Sequence, residues 1–356
     1  MNKRIHSNKY LIMVGPHPEN HGGISTVLKT WRDAGVLKEK NIKYISTTSP
    51  KAMFKSISFI KAISRFIFNC SHNCFGVYIH TASHNSFYRK AFFILIGKIF
   101  DKPIILHIHS SYFYQFINKS KKLKKNIIFF ILAKISIVIV LTHEMQSEMS
   151  SILEEKKIYV IRNGIDFKKI ENKFNFIRKQ NFILYLGRYT KEKGIYDLID
   201  AIKMVINKGY DIKLNLYGEN ERQKIVDYVK KRDLESKIFI NDWIDGKKKI
   251  GVLYQSSFIV LPSYTEGIPN VIIEAMATQT PIIATEVGGL KEILVDGENA
   301  IIIQAGNPRD LSDKIIDLLN NEILRKTISK NAYEYAKREF DIEIIRNQLY
   351  KILNRI

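Results

Sequence analysis

Short apolar runs recur along the chain, each followed by a longer stretch in which apolar positions return every three or four residues. The runs are rich in Ile, Val, Leu and Tyr and lack polar alternation, the pattern of strands buried on both faces of a parallel sheet. They predict strands at 10–14, 42–46, 76–80, 104–109, 135–141 and 158–162. A second set is predicted at 182–186, 213–217, 237–240, 257–261, 282–284 and 300–303. The amphipathic stretches between them read as helices, among them one over 24–34, and the chain from Asn307 onward reads as helix throughout. Strands alternating with helices make an α/β architecture of doubly wound sheets. The 356 residues exceed what one core usually sustains, so two domains are expected. A polar, charged stretch at 163–181 suits a linker. The domains are placed at 1–168 and 169–356, with the terminal helix able to return to the first.

Ligands of such sheets bind outside the carboxyl ends of the strands. The richest loops of that kind lie between Phe258 and Leu294. A buried strand ends there at Pro262 and Ser263, a loop carries Glu266 and Gly267, and Pro269 stands where a helix bearing Glu274 opens. A further strand runs into Gly288-Gly289 and another helix. Two helix N-termini side by side turn unpaired N–H groups and positive dipole ends toward a diphosphate. Pro269 has no N–H, so the donors are expected from Gly267, Ile268, Asn270 and Val271. Glu266 and Glu274 do not suit a phosphate but do suit sugar hydroxyls. The combination points to a nucleotide-sugar. After the strand at 182–186, Gly187 leads to Arg188 and Lys193, two cations that suit a diphosphate and the charge it develops on leaving.

In the first half, the loop after 10–14 ends in Gly22-Gly23, which permit a tight turn and close backbone approach, without the full dinucleotide spacing. His17 and His21 flank that turn. His107 and His109 share one strand face while Ile108 points the other way. His109 is nearer the strand end and is the one chosen for chemistry; His107 suits a core position.

Glu266-x7-Glu274 within PSYTEGIPNVIIEAMA is followed by Gly288-Gly289-x-x-Glu292. Gly22-Gly23-Ile24, Asn163-Gly164-Ile165-Asp166, Gly187-Arg188 and Lys193-Gly194 precede it in order. The set resembles the signature of family 4 glycosyltransferases over nearly the whole chain. The resemblance implies the GT-B fold, two Rossmann-like domains facing across a cleft, and transfer with retention at the anomeric carbon. It implies a nucleotide-sugar donor, UDP ahead of GDP. The implied acceptor is a glycan or polyprenyl-linked molecule in capsule, exopolysaccharide or lipopolysaccharide synthesis. By the same resemblance His109 serves the anomeric carbon, Glu266 the transferred sugar, and Arg188 and Lys193 the leaving diphosphate. Glu274 would hold the ribose, with Gly187, Gly267, Ile268, Asn270, Val271, Gly22 and Gly23 completing the donor site. One departure is Tyr217-Gly218-Glu219-Asn220, where a second glycine is common in the family. No Asp-x-Asp triplet occurs, so neither metal nor another cofactor is expected. The alternative is a sugar-nucleotide epimerase or hydrolase on the same fold.

Charge changes the picture of the first domain alone. The net charge is +21, of which residues 1–171 carry +17 and the rest +4. Lysines alternate with aromatic and aliphatic residues at 51–68, 87–100 and 119–130, a basic amphipathic surface that fits an anionic membrane face. A nucleic-acid partner would need stacking platforms or a reading motif, and neither is present. Cys70 and Cys74 with His72 between them match no zinc spacing and read as free thiols of a reducing cytosol. The charged first residues pass directly into a strand, so no signal peptide is expected. The apolar stretch 127–141 is interrupted by Lys134 and is too short to span a bilayer. It reads as a buried helix running into a buried strand. The expected location is cytoplasmic, peripheral on the inner face of the membrane.

Overall fold

The computed structural model describes residues 9–39, 41–49, 55–171 and 178–356. The first residues, the head of the basic cluster at 51–68 and the middle of the 163–181 stretch lie outside the described residues. The chain divides into two units: one runs to Gly164 and includes Ile342–Ile356, and the other spans Ile165–Asp341.

The first unit contains strands β1 (Tyr10–Gly15), β2 (Ile42–Ser46), β3 (Cys74–Thr81), β4 (Ile104–Ile108), β5 (Ile137–Val140) and β6 (Ile158–Val160). They form one parallel sheet in the order β2-β1-β3-β4-β5-β6. Its helices are α1 (Gly23–Asp33), α2 (Val36–Glu39), α3 (Lys55–Cys70), α4 (Asn85–Ile99), α5 (Phe113–Asn118), α6 (Lys122–Leu132) and α7 (His143–Ser150). Every residue of β1, β4 and β5 is buried, which is why these segments read as continuous apolar runs.

In the second unit a helical turn, α8 (Phe167–Glu171), precedes β7 (Phe182–Leu186), α9 (Ile195–Asn207), β8 (Lys213–Gly218), α10 (Arg222–Lys230) and β9 (Ile238–Asp242). Then come α11 (Gly246–Gln255), β10 (Phe258–Leu261), α12 (Asn270–Ala277), β11 (Ile282–Thr285) and β12 (Ile301–Ile303). This sheet is also parallel, in the order β12-β11-β10-β7-β8-β9. The order reverses between β7 and β10, the switch point at which loops from adjacent strands diverge and leave room for a ligand.

The helical tail is not continuous. It breaks into α13 (Pro308–Asn320), α14 (Glu322–Phe340) and α15 (Ile342–Leu353). Asn307 and Asn321 end the regularity because each side chain caps the helix that follows, accepting from Asp310 N at 3.1 Å and from Leu324 N at 2.9 Å. The last helix belongs to the first unit. Ile345, Leu349 and Ile352 recur at helical spacing and are buried in a core with Leu11, Met13 and Trp31.

Two further expectations need correction. The stretch after Asn163 is not all linker, because Ile165 N donates to Phe340 O at 2.8 Å and Phe167 and Ile170 are buried. The helix within 127–141 is not wholly buried either: Ile128, Ile131 and Leu132 pack inward, while Ile127 and Phe130 are exposed. An all-apolar run hides which face of a helix is covered. Among the described residues no helix is long and apolar enough to cross a membrane.

Candidate active site

In the second unit the polar groups gather where β7 and β10 end. Past β7, Gly187 leads to Arg188, which is exposed, and a short 3-10 turn ends in Lys193. Gly194 then opens α9 with φ 65°, and a Cβ there would come within 2.0 Å of Pro262 O. Only glycine permits both the left-handed turn and this approach to the β10 loop. Tyr264 N, in that second loop, donates to Glu192 O at 2.9 Å, so the two loops are tied by backbone as well.

The tie places Lys193 Nζ 2.7 Å from Glu266 Oε1. Ser263 Oγ donates to the same oxygen at 2.7 Å. Glu266 is buried and its carboxylate is held from two sides, which fixes its direction before any ligand arrives. Gly288, at φ 50°, packs its α-carbon against the Glu266 backbone; a Cβ would come within 2.0 Å of Glu266 O. The segment it opens corrects the sequence reading: Gly288–Glu292 is a 3-10 turn and not a helix. Its dipole is correspondingly slight, and α12 supplies the full helix N-terminus here. That end starts at Pro269 with no side-chain cap and no acidic residue in the first turn. The N–H groups around it, from Gly267 through Ile268, Asn270 and Val271, lie where the loop meets the helix.

Glu274 is buried on α12, with Oε1 2.6 Å from Lys249 Nζ of α11. Its other oxygen, Oε2, is buried without a hydrogen-bond partner. A buried carboxylate oxygen left unpaired is costly, so it stands ready for a donor such as a hydroxyl. Lys249 escaped the sequence reading, and Ser263 was read there only as a strand end, without its bond to Glu266. Lys249 stands in a run of three lysines, 247–249, with nothing local to single it out. Asn220, in the loop after β8, takes φ 77°, the left-handed conformation that a glycine would otherwise provide and that asparagine tolerates.

In the first unit, Gly22 and Gly23 stand at the start of α1, past the end of β1; Gly22 has φ 131°. His109 follows β4 and is part-buried, its ring nitrogen Nε2 2.9 Å from Nδ1 of His80 on β3. His107 is buried, and its Nδ1 lies 2.8 Å from the Tyr78 hydroxyl. The Trp31 ring packs against both His80 and His107. Burial holds His80 and His107 well below the usual imidazole range and takes His109 to about 3. All three are neutral near pH 7.

Their nitrogens lie within 4.8 Å of one another, the one grouping among the described residues with a metal-binding composition. The fit is poor in two respects. His80 Nδ1 and His109 Nε2 are taken up by each other at 2.9 Å, and the rings of His107 and His109 lie close, tilted 33° at 4.0 Å between centroids, instead of converging edge-on toward a point. Lys90, which donates to Thr47 Oγ1 at 2.9 Å, is pulled down by burial to about 7, and in its charged form it would oppose a cation beside His80.

Two family models match the chain: Glycosyltransferase Family 4 over residues 25–169 and Glycosyl transferases group 1 over residues 166–335. The chain belongs to this glycosyltransferase family. It is similar to the capsular polysaccharide biosynthesis glycosyltransferase CapM of Staphylococcus aureus, 32% identical over 220 residues, covering 58% of this chain and 57% of that one. It is also similar to the amylovoran biosynthesis glycosyltransferase AmsD of Erwinia amylovora, 31% identical over 225 residues, covering 61% and 62%. The chain thus spans little more than half the length of the curated relatives it matches. Among solved structures, Anabaena HepE in complex with UDP-glucose aligns over 98% of this chain and 100% of that one, with a TM-score of 0.76 and 16% identity. That likeness shows the fold, the GT-B type with two parallel α/β sheets.

Proposed function

We propose that the protein is a retaining glycosyltransferase that moves a sugar from a nucleotide-sugar, a UDP-sugar first, to a glycan or polyprenyl-linked acceptor of a cell-surface polysaccharide. The observation that carries the reading is the paired arrangement at the β7 and β10 ends. There the fixed carboxylate of Glu266 lies against Lys193, and Glu274 keeps one buried oxygen open. In this reading Glu274 Oε2 accepts from the ribose, while Lys193 and Arg188 take the diphosphate together with the α12 N-terminus. Glu266 accepts from a hydroxyl of the transferred sugar. In the transfer step the bond from the anomeric carbon to the phosphate oxygen breaks and the acceptor oxygen bonds that carbon on the same face. The acceptor proton passes to the departing phosphate. The two cations meet the charge that develops, so no metal is needed. The UDP-glucose bound by the Anabaena relative supports a UDP-sugar as the first donor to try.

The test is hydrolysis and transfer across a panel of UDP-, GDP- and ADP-sugars, with and without chelator. Turnover of at least one donor that survives chelation is expected. A panel with no turnover would sink the reading, and loss of turnover in chelator would restore a metal. Product analysis without acceptor separates transfer from epimerisation.

The first domain also supports peripheral binding to an anionic membrane. Its charge is joined by exposed apolar side chains on neighbouring helices, Ile60 and Phe68 on α3, Phe92 on α4 and Phe130 on α6. Pelleting with anionic vesicles and release by a few tenths molar salt, where the Debye length is roughly 5 Å, is the expected outcome. Binding that ignores lipid charge would refute it.

A further inference from the structure

At the ends of β3 and β4 two neutral imidazoles share one hydrogen bond, between His80 Nδ1 and His109 Nε2 at 2.9 Å. A neutral imidazole has one N–H and one lone pair, so one ring donates and the other accepts. The direction of this bond fixes the proton of both rings, because the nitrogen outside the bond takes the opposite role. If His80 donates, its Nε2 is a bare lone pair and His109 carries its proton on Nδ1. If His109 donates, His80 Nε2 becomes an N–H and His109 Nδ1 a lone pair. His107 does not compete for either nitrogen, since its Nδ1 is bonded to the Tyr78 hydroxyl at 2.8 Å.

The surroundings of His80 decide between the two. Its Nε2 is buried and meets no hydrogen-bond partner. Buried N–H groups without an acceptor are rarer in folded proteins than buried acceptors left short. The neighbours of this ring are donors as well. Lys90 acts on His80 electrostatically and donates to Thr47 Oγ1 at 2.9 Å. The Trp31 ring crosses that of His80 at 67°, 5.5 Å between centroids, and its Nε1–H is buried and unpaired. The charged groups that act on His80 are His109 and Lys90, and neither is a carboxylate. An N–H at His80 Nε2 would sit among donors and beside an ammonium; a lone pair there suits both.

We propose that His80 is a positioning residue of the transfer site: it donates from Nδ1 to His109 Nε2 and so holds the His109 proton on Nδ1. His109 is part-buried, and its Nδ1 meets no protein partner among the described residues. Past the end of β4 it presents an N–H whose place is set before any ligand arrives, and the ligand atom it suits is a neutral oxygen acceptor. It cannot take a proton there, because the lone pair of the ring is already committed to His80. His109 is therefore a hydrogen-bond donor and not a general base, in keeping with a transfer step in which the departing phosphate receives the acceptor proton. That the ligand oxygen belongs to a sugar rests on the glycosyl-transfer reading; the direction of the His80–His109 bond does not.

The test is nitrogen-15 NMR of the full chain with labelled histidine, near pH 7 and without ligand, reading which ring nitrogen carries the proton. His109→Gln identifies the His109 signals. The wild type should show His109 protonated at Nδ1, and protonation at Nε2 would overturn the proposal with no variant needed. His80→Phe keeps a ring against Trp31 but has no donor, so part of the His109 population should move to the Nε2–H form. An unchanged tautomer in that variant would show that His80 does not set it. His80→Asn brings an amide N–H close to where the imidazole Nδ1 stood and should restore the wild-type tautomer. With a nucleotide-sugar that the enzyme turns over, His80→Phe should lower kcat about ten-fold, the order of one hydrogen bond. UDP affinity should stay within about two-fold, because the charged groups that meet a diphosphate belong to the second unit. His80→Asn should recover most of the lost kcat, and equal losses in the two variants would make His80 a packing residue only. A protein that turns over no nucleotide-sugar yet shows this tautomer pattern would sink the transfer reading and leave the bond direction standing.

Discussion

The two sheets are built alike, yet their carboxyl ends carry opposite chemistry. At the ends of β7 and β10 the groups are charged and four of them are paired: Lys193 with Glu266, Lys249 with Glu274. At the ends of β3 and β4 they are imidazoles kept neutral by burial. One end can hold a doubly charged leaving group; the other offers directional hydrogen bonding from rings that carry no charge. A sugar-transfer enzyme needs both. A diphosphate is bound and stabilised by cations, whereas a neutral sugar ring is positioned by neutral donors and acceptors.

The largest break in this contrast is expected at Lys193. Lys193→Ala removes a cation that faces developing negative charge, an effect of a few kcal/mol and so on the order of a hundred-fold in kcat. It also leaves Glu266 with Ser263 as a partner, so the fold should hold. Steady-state kinetics beside a thermal melt check both halves, and near-normal turnover in the variant would remove Lys193 from the site.

The two glutamates sharpen the comparison within the charged end. Glu274→Gln keeps the shape but gives up the ion pair with Lys249 and weakens acceptance by the open oxygen. Nucleotide affinity should fall by about ten-fold, the order of one charge-assisted hydrogen bond. Glu266→Gln should spare affinity for the bare nucleoside diphosphate and reduce transfer. Calorimetry with UDP separates them, and equal losses in both variants would refute the division of roles.

The sequence carried the strands of both sheets, because segments buried on both faces cannot alternate polar and apolar residues. It also carried the loops of the charged end, where Gly194 and Gly288 are demanded by positive φ and backbone crowding. Partnerships were less legible. Nothing near Lys249 in the chain points to Glu274, and His80 meets His109 only because β3 and β4 pair in register. The α6 segment misled because it is apolar without a break from Ile127 to Ala133, which hides that Ile127 and Phe130 face outward. Gly288-Gly289 looked like a helix start since glycine pairs open both helices and tight turns, and local sequence does not say which follows.

The smallest expected effect tests the neutral end, through pH. His80, His107 and His109 have folded pKa values below the roughly 6.5 of an exposed histidine, chiefly because burial penalises the charged ring. For His80 the neighbouring His109 and Lys90 push the same way. A group depressed on folding binds its proton more readily in the unfolded chain. Its contribution to stability is therefore present above pH 6.5 and is lost as pH falls toward the folded value. Each such group costs up to about 1.4 kcal/mol per pH unit in that window. Between pH 7 and 5, above the range where most carboxylates titrate, the thermal midpoint should drop by several degrees. His80→Gln removes one of the three titrating rings and should flatten that decline while lowering the midpoint at pH 7, since Trp31 and His109 lose a packing partner. If the variant and the wild type decline in parallel, the imidazoles do not set the acid sensitivity, and the contrast between a charged and a neutral end fails on its neutral side.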